Sequence, residues 1–258
     1  MTIIDTHAHI DQLEDLPGAL GRAHEAGVSD IVAVSVDLDS MKKVLEIKGR
    51  YQKPYVHPAL GVHPGKVQPE TQPSAFDFMR ANIKQAVAVG ETGLDYWYKW
   101  VRKDQKERQK QKDSFAFHLG LAREFDLPII IHSRGAWQDC LGMARASGVK
   151  RALFHWYSGP AEILSQIIDA GYYVSTSLSV AYSPESRQAM AQAPLERILV
   201  ETDAPVHYKD GQNTLMAEPK DVIRTWKALA QLKNLDEQEV LNAVNANAKA
   251  FFGISYEK

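Results

Sequence analysis

Two histidines near the start of the chain, His7 and His9, have the spacing of a metal-ligand pair. They follow an apolar run that begins at Ile3 and is typical of a β-strand. Side chains two positions apart on a strand point the same way, so both imidazoles would face one site. A His-x-His pair alone does not separate metal binding from a chance or structural pairing. The rest of the chain must decide between these interpretations.

Imidazoles and carboxylates also follow several other apolar runs, each at the end of a different predicted strand. These residues are His63, Glu91, His132, His155 and Asp203. Random placement would scatter such side chains over the fold, and burying them unpaired would be costly. A metal centre explains their convergence best. The predicted metal ligands are His7, His9, Glu91, His132, His155 and Asp203.

Four imidazoles and two carboxylates are enough for two divalent cations, with Glu91 as the bridge because its strand lies between the others. The predicted ligand sets are His7, His9, Glu91 and Asp203 for the first ion, and Glu91, His132 and His155 for the second. Two cations in one pocket lower the pKa of a shared water and hold the attacking and leaving oxygens, which predicts hydrolysis. Asp203 is placed to accept the water proton as general base, so Asp203 and Glu91 are the candidate catalytic residues.

Eight short β-rich runs alternate with helical patterns, which is typical of repeated βα units and a parallel sheet. The predicted strands are Thr2–Thr6, Asp30–Val36, Tyr55–Val62, Ala86–Glu91, Pro128–His132, Ala152–Trp156, Tyr172–Ser177 and Ile198–Glu201. Eight strands with crossovers suit a closed barrel better than an open sheet. The fold prediction is α/β, a single-domain (β/α)8 TIM barrel over residues 1–258. The candidate ligands then lie at the C-terminal strand ends, where barrel active sites are found.

The stretches between the strands carry apolar residues at three- and four-residue spacing, which predicts helices. Examples are Pro17–Ala26, Ser114–Phe125, Ala161–Ala170 and Asp221–Leu232. Gly27, Gly148 and Gly171 stand at expected helix ends, where a C-cap glycine belongs.

Composition narrows the classes of function. The net charge of -2 argues against nucleic-acid binding by bulk electrostatics, so any polyanion must be held locally. Cys140 is the single cysteine, which excludes an intrachain disulfide and predicts a small buried side chain. The N-terminus has no basic or long apolar leader, and no apolar run approaches the ~20 residues that span a bilayer. We expect a cytoplasmic protein.

Six motifs together resemble the TatD family of metal-dependent deoxyribonucleases, within the amidohydrolase superfamily, and the resemblance covers nearly the whole chain. They are Asp5-Thr6-His7-Ala8-His9, Gly61-Val62-His63-Pro64, Gly90-Glu91-Thr92-Gly93-Leu94-Asp95-Tyr96, Ile131-His132-Ser133-Arg134, His155-Trp156-Tyr157-Ser158-Gly159 and Glu201-Thr202-Asp203-Ala204-Pro205.

The resemblance implies a TIM barrel, a divalent-metal centre on the six ligands, and cleavage of phosphodiester bonds in DNA from a 3′ end by a metal-bound hydroxide. It also implies that His63 and Asp95 lie beside the substrate. Imidazole-rich ligands favour bound zinc, manganese, iron or nickel, whereas the resemblance points to activity supported by magnesium. The expected partner is DNA, at single-stranded ends.

The sequence departs from the family pattern at three places. Thr92 stands where the family usually has an aliphatic residue, and Trp156-Tyr157 replaces a small-then-aromatic pair. The stretch Leu215-Met216-Ala217-Glu218-Pro219 replaces a family Arg-Asn-Glu-Pro. The missing arginine removes a candidate phosphate ligand, so the metal site is better supported than the substrate class.

A basic stretch, Lys99–Lys112, follows the strand that carries Glu91. We favour substrate contacts for Trp97, Lys99 and Arg102, through base stacking and phosphate steering, and a solvated helix face for the later lysines. His63 is favoured as a donor to a phosphoryl or leaving oxygen over a support for a ligand.

Arg134 either binds phosphate or caps the next helix, and His207 is left open. His24, His57 and His118 are expected to be surface or packing residues. The site residues predicted to bind substrate are thus His63, Asp95, Trp97, Lys99, Arg102 and Arg134.

Two other functions keep the same fold. A hydrolase of a small amide, lactone or ester would use the same metals, because fold and metals do not fix the substrate. A non-catalytic scaffold is the weakest alternative, because all six ligands are present.

Overall fold

The computed structural model describes residues 2–254 as a barrel of eight parallel strands. The strands are β1 (Ile3–Ala8), β2 (Val28–Val34), β3 (Tyr55–Leu60), β4 (Ala88–Gly93), β5 (Ile129–His132), β6 (Ala152–Phe154), β7 (Tyr173–Thr176) and β8 (Ile198–Val200). They are paired in chain order from β1 to β8. The single-domain TIM-barrel prediction is confirmed for the described residues.

The seam between β8 and β1 is closed by hydrogen bonds just beyond the regular ladder. The Thr6 Oγ1 hydroxyl donates to the Val200 carbonyl at 2.9 Å. The Asp203 amide donates to the His7 carbonyl at 2.9 Å, and the His9 amide donates to the Ala204 carbonyl at 2.8 Å. These bonds bring the first and last predicted ligands of the chain side by side.

The strands are buried along almost their whole length because both faces are covered. One apolar cluster fills the barrel interior with side chains from strands around the ring, including Val34, Ile130 and Leu199. Phe251 and Phe252 of the last helix belong to the same cluster and close the N-terminal end of the barrel. The larger cluster packs the outer strand faces against the helices.

Nine α-helices occur in the described residues. They are α1 (Leu16–Glu25), α2 (Leu38–Arg50), α3 (Gln72–Asn82), α4 (Gln105–Glu124), α5 (Trp137–Ser147), α6 (Ala161–Asp169), α7 (Pro184–Gln192), α8 (Val222–Lys233) and α9 (Glu237–Phe252). Side-chain caps fix several starts; at α4, for example, Asp104 accepts from the amides of Lys106 and Glu107. Gly148 ends α5 with a φ of 75°, a left-handed conformation that favours glycine.

The predicted strands and helices all appear, with small differences at their ends. Helix α4 begins nine residues before the predicted Ser114, because its first half is highly charged and lacks the apolar spacing that predicts a helix. An antiparallel hairpin of β9 (His207–Asp210) and β10 (Asn213–Met216) follows β8 and was not predicted. His207, which the sequence left open, begins β9 of this hairpin.

Two of the histidines assigned to packing have buried partners. His57 Nε2 lies 2.7 Å from Asp30 Oδ1. His118 is fully buried, and its Nε2 accepts a hydrogen bond from the Val62 amide at 3.0 Å. Cys140 is buried in the core, as predicted. Over residues 2–254, no helix has the length and apolar character needed to cross a bilayer.

Candidate metal centre

His7, His9 and Asp203 meet at the C-terminal mouth of the barrel. The Nε2 atoms of His7 and His9 both lie 3.3 Å from Asp203 Oδ1. They also lie 3.5 and 3.4 Å from Glu91 Oε2. Asp203 has a φ of 51°, in the left-handed region that few non-glycine residues adopt. The first predicted ligand set is therefore gathered around two carboxylate oxygens.

The other Glu91 oxygen faces the second predicted set. Glu91 Oε1 lies 2.9 Å from His132 Nδ1 and 2.8 Å from His155 Nε2. These two imidazole nitrogens are 3.4 Å apart. Glu91 is 2% exposed, so its two oxygens face the two histidine groups rather than solvent. This is the arrangement that a bridging carboxylate requires.

The donor atoms fit divalent cations. Ligands about 2.1 Å from one ion lie about 3.0 Å apart at 90° and about 3.4 Å apart at 109°, which is close to the separations of 2.8 to 3.5 Å found here. His7 Nε2 and Asp203 Oδ1 are buried and have no hydrogen-bond partner among the described residues. Buried polar atoms without partners are costly, and a shared cation would satisfy both. We propose the six residues as the metal ligands.

The electrostatics of the cluster also call for a cation. Burial alone would raise the pKa of Asp203, but the adjoining His7 and His9 rings outweigh it and lower that pKa. Burial would lower the pKa of His9, yet the Asp203 and Glu91 carboxylates outweigh it and raise the pKa to about 10. Burial would raise the pKa of Glu91, and the surrounding imidazoles of His155 and His63 lower it instead. Buried carboxylates that stay ionised need positive charge beside them, which protonated imidazoles or a bound metal ion can supply.

Two buried carboxylates support the second ligand set from behind. Asp95 Oδ2 lies 2.9 Å from His132 Nε2, and Glu201 Oε1 lies 3.4 Å from His155 Nδ1. Glu201 is itself fixed by Ser175, whose hydroxyl donates to Oε2 at 2.5 Å. Such partners hold an imidazole in the tautomer that presents its other nitrogen to a metal. Glu201 was missed as a site residue because it directly follows the apolar run of β8 and was counted as the end of that strand.

Asp95 does not lie where the resemblance implied. Its side chain is fully buried, is absent from the cavity lining, and accepts hydrogen bonds from Arg134 Nε and the Trp97 amide, both at 2.9 Å. Direct substrate contact by Asp95 is not supported by this position and stays a prediction, and we propose that Asp95 positions His132 from behind. Arg134 itself lines the cavity and does not cap α5, whose N-cap is Ala136.

A cavity of about 810 Å³ opens above the ligands. Of the residues predicted to bind substrate, His63, Trp97 and Arg134 line it. Arg134 stacks over two rings, with its Cζ 5.9 Å from the Trp97 centroid and 5.3 Å from the Tyr98 centroid. Lys66, Tyr98 and Trp137 also line the cavity and were missed. Lys66 lies three residues beyond His63 in a strand-end motif, a position that could have signalled it.

Lys99 and Arg102 do not line the cavity. Both are exposed, and the Arg102 carbonyl accepts a hydrogen bond from Arg108 at 2.5 Å. The prediction that they contact substrate is therefore not supported by their positions, and charge steering from outside the cavity stays a prediction. Further along the basic stretch, Lys110 and Lys112 pair with Glu107 and Asp139 at 2.5 and 2.7 Å.

His63 lies at the edge of the metal centre. Its Nδ1 accepts a hydrogen bond from the Gly65 amide at 2.9 Å, and its Nε2 lies 3.6 Å from Glu91 Oε1. Burial lowers the pKa of His63 to about 3, which keeps the ring neutral. The ring can therefore offer its Nε2 proton to an oxygen in the cavity.

The stretch that replaces the family Arg-Asn-Glu-Pro makes contacts within the fold and does not line the cavity. Glu218 Oε1 accepts from Arg22 at 2.7 Å, which ties the segment before α8 to α1. Met216 ends the hairpin and is 48% exposed, whereas Ala217 is fully buried, and neither lines the cavity. The two substitutions therefore leave the metal ligands and the lining untouched.

The family described as TatD related DNase matches residues 4–253. The chain belongs to this family. It is 31% identical to an uncharacterized metal-dependent hydrolase TatD of Mycobacterium tuberculosis, over 98% of this chain and 99% of that protein. It is 29% identical to human deoxyribonuclease TATDN3, over 97% of this chain and 94% of that one.

A solved structure of the Escherichia coli TatD homolog YJJV has the same fold. It is 27% identical to this TatD-family chain, covers 98% of both chains and has a TM-score of 0.88. The protein is therefore a metal-dependent hydrolase of the TatD family, as the sequence predicted.

Proposed function

We propose that this TatD-family hydrolase is a deoxyribonuclease that removes nucleotides from the 3′ end of single-stranded DNA. The observation that carries the proposal is Glu91, whose two oxygens each face a separate group of imidazoles under one cavity. When bound, two divalent ions lower the pKa of a shared water and offset the charge on phosphoryl oxygens. We expect zinc, manganese or nickel to be bound, and magnesium to support activity.

The reaction is hydrolysis of one phosphodiester bond. The oxygen of water forms a bond to phosphorus, and the bond from phosphorus to the 3′ oxygen of the remaining strand breaks. Asp203, whose Oδ1 lies 3.3 Å from both N-terminal histidines, accepts the proton of the attacking water on its carboxylate. His63 donates a hydrogen bond through Nε2 to a phosphoryl or leaving oxygen. The proton that Asp203 takes up is then passed to the leaving 3′ oxygen, and the other hydrogen of the water stays on the new phosphate.

The cavity lining supports DNA over a small amide, lactone or ester. Lys66 and Arg134 bring two cations to a cavity of a protein with a net charge of -2. Trp97 is 61% exposed at the same cavity and offers a face on which a base can stack. The human relative TATDN3 is named a deoxyribonuclease, which also favours DNA as the substrate.

The test is degradation of a 5′-labelled single-stranded oligonucleotide by metal-replete protein. A ladder that shortens from the 3′ end, and that is absent with EDTA and with Asp203→Asn, supports the proposal. Intact DNA, together with hydrolysis of a small carbonyl substrate, would favour the small-molecule alternative.

A further inference from the structure

The cavity has two chemically different walls. The loops after β3 to β5 supply Lys66, Arg134 and the rings of Trp97 and Tyr98. The loops after β6 and β7 supply Trp156, several serines and Glu185. Among the described lining residues, this second wall has no lysine or arginine. Strands β3 and β7 are four apart in an eight-stranded ring, so Lys66 and the β7 loop lie on opposite sides of the metal centre.

Trp156 is held rigidly in the second wall. Its indole Nε1 donates to Ser179 Oγ at 2.8 Å, and Ser179 Oγ lies 2.9 Å from Ser186 Oγ. Its ring packs against Tyr208, with centroids 5.5 Å apart. The Trp156 backbone has a φ of 42°, in a left-handed conformation that tryptophan rarely adopts. A strained backbone of this kind persists only where the surrounding contacts hold it in place, and such residues cluster at functional sites.

The charge of the second wall disfavours phosphate. Glu185 is exposed at the cavity, where its carboxylate accepts a hydrogen bond from Ser183 Oγ at 2.8 Å. A phosphate against this wall would meet a carboxylate and no lysine or arginine among the described lining residues. An uncharged nucleoside, by contrast, would find an aromatic face and hydroxyl groups. The phosphates of a strand are matched by Lys66 and Arg134 on the other wall.

We propose that the wall formed by Trp156, Ser179 and Glu185 is a subsite for the terminal nucleoside of the DNA strand, and that it selects a free 3′ hydroxyl over a 3′ phosphate. This inference rests on the proposed function. Trp156 stacks on the terminal base, and Glu185 repels a terminal phosphate.

The experiment compares 5′-labelled single strands that differ only at the 3′ end, which carries a hydroxyl, a phosphate or an abasic terminal sugar. Each preparation of metal-replete protein is assayed with all three oligonucleotides. The ratio of two kcat/KM values does not depend on the fraction of protein that is folded, so a partly unfolded variant is still informative.

The wild type is expected to cleave the hydroxyl end faster than the phosphate end. Glu185→Gln should reduce that preference about two- to fivefold, as expected for one exposed charge pair. Glu162→Gln is the matched control, because Glu162 is exposed in the first turn of α6 at the same barrel face and does not line the cavity. It should leave the preference unchanged.

Trp156→Ala should reduce the preference for a terminal base over the abasic end about tenfold.

Equal cleavage of all three ends by the wild type, with the same ratios in both wall variants, would overturn the subsite while leaving the nuclease function intact. If the wild type cleaves none of the strands, the proposed function fails and the subsite fails with it.

Discussion

Asp95 Oδ2 lies 2.9 Å from Nε2 of His132. A carboxylate in this place would hold the proton on Nε2, which would leave the His132 Nδ1 lone pair directed at the proposed metal centre beside Glu91. We therefore propose that Asp95 acts on the centre from outside the cavity, through the tautomer of one proposed ligand.

Replacing Asp95 with asparagine should weaken metal binding about 10- to 100-fold, because the negative charge that fixes the His132 tautomer is lost. The measurement is a competition titration of the metal-free protein against a chelator. Asp139→Asn is the matched control, since Asp139 accepts hydrogen bonds from Tyr96 and pairs with Lys112 but contacts no proposed ligand. Equal affinities in both variants would refute the positioning role.

Metal removal should destabilise the fold, because it leaves the Asp203 and Glu91 carboxylates buried among imidazoles. An ion at 100 times its dissociation constant adds about 2.7 kcal/mol to the free energy of unfolding. For a chain of this size that corresponds to a fall in Tm of about 5–10 °C on adding EDTA. Scanning calorimetry with and without EDTA measures this fall in Tm. An unchanged Tm would argue that the cluster binds no ion.

The salt dependence of KM should distinguish basic side chains that contact the substrate from those that only attract it from a distance. Lys66→Ala should raise KM for an oligonucleotide about fivefold at low salt and by a smaller factor at high salt, because a lysine that lines the cavity contacts phosphate and this contact releases counterions. Lys99→Ala combined with Arg102→Ala should raise KM only at low salt, because exposed charges outside the cavity are screened within about 3 Å at 1 M salt. Steady-state kinetics at two salt concentrations test this, and identical salt responses would contradict the assignment.

His118 should make the fold less stable below neutral pH. Burial lowers its pKa from 6.5 to about 4. Between these pH values the unfolded chain takes up a proton that the folded protein does not, so stability present above pH 6.5 is lost as pH falls toward 4. The loss is at most about 3 kcal/mol.

Urea unfolding at pH 7 and pH 4.5, with EDTA present, compares the wild type with His118→Gln. The variant lacks the titrating ring, so its free energy of unfolding should fall less between the two pH values. The same fall in both proteins would show that His118 does not titrate as described.

Much of the fold and site follows from local sequence pattern. Each strand is short and apolar, and parallel strands in chain order bring their C-terminal ends together, so the convergence of His7, Glu91, His132 and Asp203 could be predicted. The hairpin that begins at His207 could not, because its exposed strands lack a strong apolar alternation.

The position of Asp95 behind His132 could not be predicted from the sequence, because it depends on the tertiary structure. Gly93 has a φ of 135°, and a Cβ there would lie 2.1 Å from the His132 carbonyl oxygen. The chain therefore passes tightly against β5 and carries Asp95 behind His132 rather than into the cavity. The two walls of the cavity likewise depend on side chains that follow five strands, β3 to β7, which no single motif contains.

The most direct test of the account is the rate of hydrolysis of a 5′-labelled single-stranded DNA as metal is added back to EDTA-treated, dialysed protein. No cleavage is expected without metal, and the rate should rise to a plateau near two equivalents of metal, with Asp203→Asn inactive throughout. Cleavage by metal-free protein, or full activity in Asp203→Asn, would contradict it.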